Sequence, residues 1–305
     1  MEYSLLCLHV RFNKPEMEAV MGPGTVYISM LRDPVDVFES QYGFFGLQGF
    51  YGMTIGINDY YNFWALILFP LDDFAAAPKT KELLRRANGQ GRNQMLFDLG
   101  LDPEDMDDDT LVRKKIEKIE DSFHLIMIAE HFSESLVLMK SELCWAVEDV
   151  TNFKLNGRKD QVKSNLSNKT RNLLREFLRA DYMLYNHFYQ KLQSKMEKLG
   201  EAKLAAEVSV LEQANRELSH SCSVKPADNA KLKGDQKWWG PNLVGYSVQN
   251  STNEKCALMT MPELVFIQKI RDHQREKANI ILENRKIHEV AHKYSYIFKY
   301  LKIKL

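Results

Sequence analysis

The stretch TVYISMLRDPVDVFESQYGFF, residues 25–45, decides the fold prediction because it has the pattern of a strand that runs directly into a helix. Its first part, Thr25 to Leu31, is short, apolar and rich in β-branched residues, which is typical of a strand buried on both faces. Asp33 is a suitable N-cap, and Pro34 fits the first helical position, where no amide donor is needed. The stretch therefore predicts a strand and a helix of an α/β fold, joined with almost no loop.

This junction places Arg32 at the carboxyl end of the predicted strand, beside the N-terminus of a helix. Anionic ligands bind at this edge of open α/β sheets, because free amides and the helix dipole favour negative charge and arginine offers several donors to a phosphate. Ser40, two turns along the helix, can present a hydroxyl to the same anion. The residues alone leave two interpretations open, a phosphate site or an arginine that closes a strand before an ordinary capped helix.

Several segments, in order along nearly the whole chain, resemble the galactose 3-O-sulfotransferase family, whose members are Golgi enzymes and include galactosylceramide sulfotransferase. They are LHVRF at 8–12, LRDPVDVFES at 31–40, GRNQMLFDLGLD at 91–102, FHLIMIAEHFSESLVLMKSELCWAVEDVTNFKLN at 123–156, LVGYSV at 243–248, and Cys256 with the following MTMPE. The resemblance implies a P-loop-like sulfotransferase fold with a parallel sheet and long C-terminal covering helices. It also implies that the sulfuryl donor is 3′-phosphoadenosine-5′-phosphosulfate, with no metal required.

The resemblance assigns the 3′-phosphate of this donor to Arg32 and Ser40. His9 is the candidate catalytic base, since it belongs to the His-x-Arg-Phe segment and histidine has an unperturbed pKa of about 6.5. The acceptor is expected to be the 3-hydroxyl of a galactose in a glycolipid such as galactosylceramide, or in a related glycan.

Other positions are less distinctive. Arg11 alternates with His9 on the same predicted strand face and would reach the acceptor or the sulfuryl group, although a surface salt bridge is an equal alternative. Arg92 and Asn93 match a family segment that we place near the galactose. Glu130, at the end of a predicted strand, either touches the acceptor or caps a helix.

One departure from the family concerns the N-terminus. Family enzymes carry a strand–loop–helix before the His-x-Arg-Phe strand, with a Lys-Thr-rich loop for the 5′-phosphosulfate, and before it a membrane anchor. This chain opens with MEYSLLCLHV, which resembles a core strand. We therefore expect a single sulfotransferase domain over residues 1–305, incomplete at its N-terminus, with Golgi-membrane attachment on the lumenal side through the missing anchor. The alternative function is a catalytically inactive, truncated sulfotransferase-like binding module.

Composition agrees with a globular protein and excludes some partners. The chain has 305 residues, 45% of them hydrophobic and 27% charged, with 41 basic and 41 acidic side chains. This balance argues against a nucleic-acid-binding protein, which usually carries a basic excess. The longest apolar run, FWALILFPL at 63–71, is too short to span a bilayer.

The four cysteines do not form a dense disulfide scaffold. The resemblance implies a bridge between Cys222 and Cys256, whereas Cys7 and Cys144 are expected to be small buried hydrophobic residues. Three glycosylation sequons fit a lumenal glycoprotein, and they begin at Asn165, Asn168 and Asn250.

The remaining pattern alternates strands and helices first and continues with long helices. Strands are predicted near 3–10, 25–31 and 123–129, and helices near 34–45, 57–68, 78–88, 110–121 and 132–145. Apolar residues at helical spacing between 168 and 220 predict one broken helix or two consecutive helices that cover the sheet. The stretch 221–255 has few periodic signals and is predicted to be a long functional loop.

Overall fold

The computed structural model describes residues 10–45, 91–155, 157–159, 163, 165–237, 243–248 and 253–277. In chain order the elements are α1 (Lys14–Val20), β1 (Ile28–Leu31), α2 (Pro34–Phe45), α3 (Gln94–Asp98), α4 (Asp109–Ser122), β2 (Leu125–Ile128), α5 (Phe132–Glu142), α6 (Asn168–Phe177), α7 (Arg179–Leu199), α8 (Glu201–Ser221), β3 (Val224–Asp228), β4 (Val244–Val248) and α9 (Glu254–Met259). Residues 263–277 are also helical. Short 3₁₀ turns occur at Pro103–Asp105, Ala129–His131, Val147–Asp149, Asn229–Lys231 and Gly234–Gln236. The helices predicted near 57–68 and 78–88 lie outside the described residues, as do residues 3–9 of the strand predicted near 3–10, whose last residue, Val10, is not in a strand.

The chain divides into two compact units. The first comprises residues 1–151 and 163–215, and the second comprises residues 152–162 and 216–305. The expectation of one sulfotransferase domain stays a prediction.

The first unit contains the predicted parallel sheet in the form of two strands. β1 and β2 pair in parallel, with Ile28 opposite Leu125 and Leu31 opposite Ile128. β2 is buried at every position, but Met30 of β1 is 43% exposed. The prediction of a strand buried on both faces is therefore wrong for β1, because the helices α5 and α7 pack against β2 and, within the described residues, make no comparable packing against β1. The outcome is a helix-dominated α/β unit.

The long helix α7 organises the core of this unit. It packs against β2 and against α2, α3, α4, α5 and α6. Leu184, Phe188 and Leu192 recur every four residues along its buried face and are at most 5% exposed. Each such side chain contributes about 1.5–3 kcal/mol when it leaves water. The predicted covering role of the long helices is thus confirmed for α7, while the stretch 168–220 forms three helices rather than one or two.

The second unit is built on a hairpin that the sequence pattern did not reveal. β3 and β4 pair antiparallel, from Val224 opposite Val248 to Asp228 opposite Val244. The prediction of a long loop over 221–255 is wrong at these strands and at α9. The sequence of β3, VKPAD, does not predict a strand because it lacks the apolar alternation of a half-buried strand.

None of the helices in the described part of the chain is both long enough and apolar enough to cross a bilayer.

Candidate functional site

The carboxyl ends of β1 and β2 form the most chemically distinctive region of the first unit. Arg32 follows the last residue of β1, and the Asp33 carboxylate caps α2 by accepting from the amides of Val35 at 3.0 Å and Asp36 at 3.2 Å. Pro34 occupies the first helical position. The predicted strand–helix junction is confirmed, and it leaves the Arg32 side chain 45% exposed beside a helix N-terminus.

Glu130 joins the ends of the two strands. It lies just beyond β2, and its Oε1 accepts a hydrogen bond from the Asp33 amide at 2.9 Å. Its Oε2 accepts from the Tyr185 hydroxyl at 3.2 Å. The Glu130 carboxylate therefore fixes the start of α2 relative to β2 and α7.

Two tyrosines of α7 donate to the carboxylates at this edge. The Tyr182 hydroxyl lies 3.0 and 3.1 Å from the two Asp33 oxygens, and Tyr185 donates to Glu130. Burial raises the pKa of Tyr182 to about 12, with Arg175 opposing the rise and Asp33 adding to it. Burial, and then Glu130, raise the pKa of the Tyr185 hydroxyl as well. Both hydroxyls consequently stay protonated and serve as donors near neutral pH.

Two arginine side chains lie close to Asp36, which is in the first turn of α2. Arg32 Nη2 lies 3.9 Å from one oxygen of Asp36, and Arg171 Nη1, from α6, lies 3.3 Å from the other. The guanidinium of Arg175 lies over the Tyr182 ring, 6.0 Å from its centroid. Two arginines thus converge on one carboxylate at this edge, and a third lies over the neighbouring tyrosine.

Ser40 lies on the same helix as Asp36, four residues further on, and is partly buried. Residues four apart on an α-helix share a face. Ser40 and Asp36 therefore face the same side of α2, and the role of the serine hydroxyl in an anion site with Arg32 stays a prediction.

His9, the predicted base, lies outside the described residues. Its predicted neighbour Arg11 is not in a strand. Arg11 donates to the Phe97 carbonyl at 3.0 Å and to Asp102 at 2.6 Å, and its guanidinium lies 4.6 Å from the centroid of the Phe97 ring. These contacts fit the salt-bridge alternative, and the role of Arg11 toward the acceptor stays a prediction.

Arg11 also lines a cavity of about 680 Å³ together with Lys14, Lys115 and Lys118. Burial, followed by the neighbouring cations Lys118 and Arg11, lowers the pKa of Lys115. Gly100 belongs to the same wall. Its φ of +90° is in the left-handed region, and a β-carbon there would approach the Phe12 carbonyl oxygen to 2.4 Å, so the position requires glycine.

Arg92 and Asn93 have partners within the protein. Arg92 donates to the Phe177 carbonyl at 3.1 Å and to Asp107 at 2.5 Å. Asn93 is fully buried and accepts from the Asp181 amide at 3.0 Å through its side-chain oxygen. Their predicted contact with galactose stays a prediction, and the geometry gives both side chains a structural role.

The predicted disulfide is present, joining Cys222 and Cys256 in the second unit. Both cysteines are buried with Val224, and Phe153, Leu218 and Tyr246 pack around them. Cys144 is exposed just after α5, at a backbone φ of 53°. The expectation that Cys144 is buried is wrong, because α5 ends at Glu142, before it reaches this residue.

Asn165 and Asn168, the first two sequon asparagines, are exposed. The third, Asn250, lies outside the described residues. Within the described ranges, no group of three or more histidine, cysteine or acidic side chains is arranged to hold a metal ion.

The sequence patterns singled out Arg32 and Ser40 but not the partners from the helices α6 and α7. Tyr182 and Tyr185 are three residues apart, and Arg171 and Arg175 are four apart, so each pair shares a helix face. That spacing was a usable signal for a polar face. Nothing in the sequence shows that the tyrosines meet Asp33 and Glu130 or that Arg171 meets Asp36 of α2.

Comparison with known proteins supplies the family. The family model described as galactose-3-O-sulfotransferase matches residues 1–274. Human galactose-3-O-sulfotransferase 2 is 32% identical over 287 residues, covering 88% of this chain and 68% of the relative. Bovine galactosylceramide sulfotransferase is 30% identical over 277 residues, with 87% and 63% covered. Mouse galactose-3-O-sulfotransferase 3 is 28% identical over 306 residues, with 92% and 68% covered.

The chain therefore spans about two thirds of the length of these relatives. No solved structure gives a significant match. Because the family model covers most of the sequence, the chain belongs to the galactose-3-O-sulfotransferase family.

Proposed function

We propose that this protein transfers a sulfuryl group from 3′-phosphoadenosine-5′-phosphosulfate to the 3-hydroxyl of a galactose. The observation that carries the proposal is the position of Arg32 at the carboxyl end of a parallel strand, beside the capped N-terminus of α2. The helix dipole and the Arg32 guanidinium favour an anion at this edge, whereas the amides of Asp33, Val35 and Asp36 already donate to carboxylates. Membership of the galactose-3-O-sulfotransferase family indicates sulfuryl transfer as the reaction in which such an anion site would take part.

Arg32 and Ser40 hold the 3′-phosphate of the donor in this proposal. The guanidinium offers paired N–H donors to phosphate oxygens, and the serine hydroxyl adds a third donor from the same side of α2. The Arg32 side chain is 45% exposed, so an incoming phosphate can reach it. The parallel pair β1–β2 with α7 packed over it supports a P-loop-like sulfotransferase fold.

The transfer needs one base and an in-line geometry. His9 takes the proton from the galactose 3-hydroxyl while the galactose oxygen forms a bond to sulfur. The bond from sulfur to the 5′-phosphate oxygen breaks, and the electron pair leaves with 3′-phosphoadenosine-5′-phosphate. Arg11, two residues from His9, is assigned to the acceptor or to the sulfuryl oxygens.

The acceptor is a galactose-terminated glycolipid such as galactosylceramide, or a related glycan. The bovine relative is named for galactosylceramide, and the human relative is named for galactose alone. The Cys222–Cys256 disulfide and the exposed asparagines of two sequons support a place in the lumen of the Golgi, since disulfides persist along the oxidising secretory route.

The test uses the full chain with a labelled sulfuryl donor and three acceptors: galactosylceramide, N-acetyllactosamine and, as the control, glucosylceramide. We expect label on both galactose acceptors and none on the glucose control. Periodate distinguishes the linkage, because a 3-sulfate removes both vicinal diols of a terminal galactose.

His9→Ala should lower kcat by about 10²–10⁴-fold and leave nucleotide affinity unchanged. A chain that binds 3′-phosphoadenosine-5′-phosphate but sulfates none of the acceptors would be the catalytically inactive binding module. A chain that neither binds the nucleotide nor forms product would overturn the proposed function.

A further inference from the structure

We propose that Arg171 is a second arginine of the donor site, binding the same 3′-phosphate as Arg32, with Asp36 as the counter-ion that holds both side chains in place before the donor arrives. This inference rests on the proposed function. It adds a side chain from α6 to a site that the sequence pattern places entirely on β1 and α2.

The geometry around Asp36 points to this arrangement. Each oxygen of the carboxylate faces a different arginine, Arg171 at 3.3 Å and Arg32 at 3.9 Å. The three side chains are 36–45% exposed. A ligand can therefore reach both guanidinium groups from solvent.

Both contacts are looser than a good charge-assisted hydrogen bond, which is about 2.7–2.9 Å long. Arg11 and Arg92, in contrast, have shorter ion pairs. Each of these two has a carboxylate at 2.6 or 2.5 Å and also donates to a backbone carbonyl. One Asp36 carboxylate carries a single negative charge against two guanidinium groups. A phosphate monoester carries nearly two charges and three acceptor oxygens, so it can replace Asp36 as their partner.

Helix packing fixes the backbone at Arg171, and the ion pair with Asp36 orients its side chain. The helix α6 contacts α2, and the Phe177 ring lies 5.5 Å from the Phe38 ring in an edge-to-face arrangement. Leu174 and Phe38 are completely buried. Ser167 caps α6 by accepting from the Thr170 amide at 3.1 Å. Arg171 is therefore presented to α2 by a rigid helix, which is how a binding residue is preorganised.

The test compares two nucleotides that differ only in the 3′-phosphate. Titration calorimetry measures binding of 3′-phosphoadenosine-5′-phosphate and of adenosine 5′-monophosphate to the full chain and to Arg171→Ala, Arg32→Ala and Arg179→Ala. Arg179 is the matched control, since it begins the next helix and pairs with Asp109 rather than Asp36. We expect Arg171→Ala to weaken binding of the 3′-phosphorylated nucleotide about tenfold or more. Binding of the monophosphate should stay within twofold, and Arg179→Ala should change neither affinity.

The outcomes separate this inference from the proposed function. If Arg32→Ala weakens binding and Arg171→Ala does not, the donor site stands and the role of Arg171 is overturned. If Arg171→Ala weakens both nucleotides equally, the residue does not act on the 3′-phosphate. If the unaltered chain does not prefer the 3′-phosphorylated nucleotide, the proposed donor site itself fails.

Arg171→Lys gives a second measurement in case the alanine variant loses its fold. Lysine retains the charge but lacks the planar fork of donors. Its affinity for the 3′-phosphorylated nucleotide should lie between those of the unaltered chain and Arg32→Ala, and an unchanged affinity would count against direct binding through that fork.

Discussion

Asn93, at the N-cap of α3, and Asp181, in the first turn of α7, each accept hydrogen bonds from first-turn amides of the other's helix. The Asn93 side-chain oxygen accepts from the Asp181 amide at 3.0 Å, in the first turn of α7. In return, the Asp181 carboxylate accepts from the amides of Leu96 at 2.9 Å and Met95 at 3.2 Å, in the first turn of α3. Asn93 is 0% exposed and Asp181 is 2% exposed. This exchange satisfies amides that a helix start leaves unpaired and fixes the segment at 91–98 against the central helix.

The burial of Asp181 predicts a pH dependence of stability. Burial raises the pKa of Asp181 to about 7, although the two amide donors oppose the rise. An aspartate in an unfolded chain titrates near 3.9. Between these values the folded protein holds a proton that the unfolded chain has lost, so the free energy of unfolding falls as pH rises from about 4 to about 7. Above about pH 7, Asp181 causes no further change in the free energy of unfolding.

Urea unfolding of the unaltered chain and of Asp181→Asn, followed by circular dichroism from pH 5 to pH 8, measures this effect. The free energy of unfolding of the unaltered chain should fall by roughly 3 kcal/mol more than that of the variant, since about two pH units separate pH 5 from the folded pKa and each is worth about 1.4 kcal/mol. The variant should also be less stable at pH 5 by about 1 kcal/mol, because an amide oxygen replaces only one of two acceptors. Parallel pH profiles for the two proteins would contradict the prediction.

Asn93→Gly tests whether this residue has a structural role or contacts the acceptor. Asn93 has a φ of 47°, which glycine tolerates, so the substitution removes the cap without adding backbone strain. We expect a loss of about 1–2 kcal/mol in the free energy of unfolding. The matched control is Asn13→Gly, since Asn13 precedes α1 without a side-chain cap hydrogen bond and should change stability by less than about 0.5 kcal/mol.

A galactose-binding role for Asn93 would give the opposite result. The KM for the acceptor would then rise while the thermal midpoint stayed near that of the unaltered chain. A lower midpoint with an unchanged KM would assign Asn93 to the fold.

The disulfide in the second unit predicts a local loss of stability on reduction. The bridge between Cys222 and Cys256 closes a loop with a sequence separation of 34 residues. A loop of this size is stabilised by up to about 4 kcal/mol in the chain-entropy account. Replacing both cysteines with serine should therefore expose the segment 216–277 to limited proteolysis, as mapped by mass spectrometry.

The control for this prediction is Cys144→Ser. Cys144 is exposed and outside the bridge, so its replacement should leave the cleavage pattern unchanged. Identical patterns for the double variant and the unaltered chain would show that the bridge contributes little to this unit.

The parts of the fold that sequence predicts well are those set by neighbouring residues. Asp33, Pro34 and the apolar run before them determine the junction of β1 and α2 within a few positions, because capping and proline act locally. The site partners depend on contacts between distant residues. Tyr182 meets Asp33 across 149 positions, and Arg171 meets Asp36 across 135. No local pattern encodes such contacts.

The sequence does not predict the hairpin, for a related reason. Its strands are separated by a stretch without periodic signals, and Pro226 within β3 counts against a strand when only the sequence is considered. A two-stranded hairpin has only edge strands, so a proline can be accommodated there. Strand pairing, rather than local preference, therefore determines this element.

The Glu130 carboxylate is expected to support the donor site, since it holds the ends of both parallel strands together. Glu130→Ala would leave the Asp33 amide and the Tyr185 hydroxyl without their acceptor. We expect a loss of about 1 kcal/mol in stability. Affinity for 3′-phosphoadenosine-5′-phosphate should also fall severalfold, because Arg32 adjoins the amide that Glu130 fixes.

Glu130→Gln is the matched variant. Its side-chain oxygen still accepts from the Asp33 amide, and its amide group can donate to the Tyr185 oxygen, so nucleotide affinity should stay within about twofold. A direct role of Glu130 toward the acceptor would appear differently, as a raised KM for galactose in Glu130→Gln with nucleotide binding intact. Comparing the two variants in the same calorimetric and kinetic assays therefore separates support of the donor site from contact with the sugar.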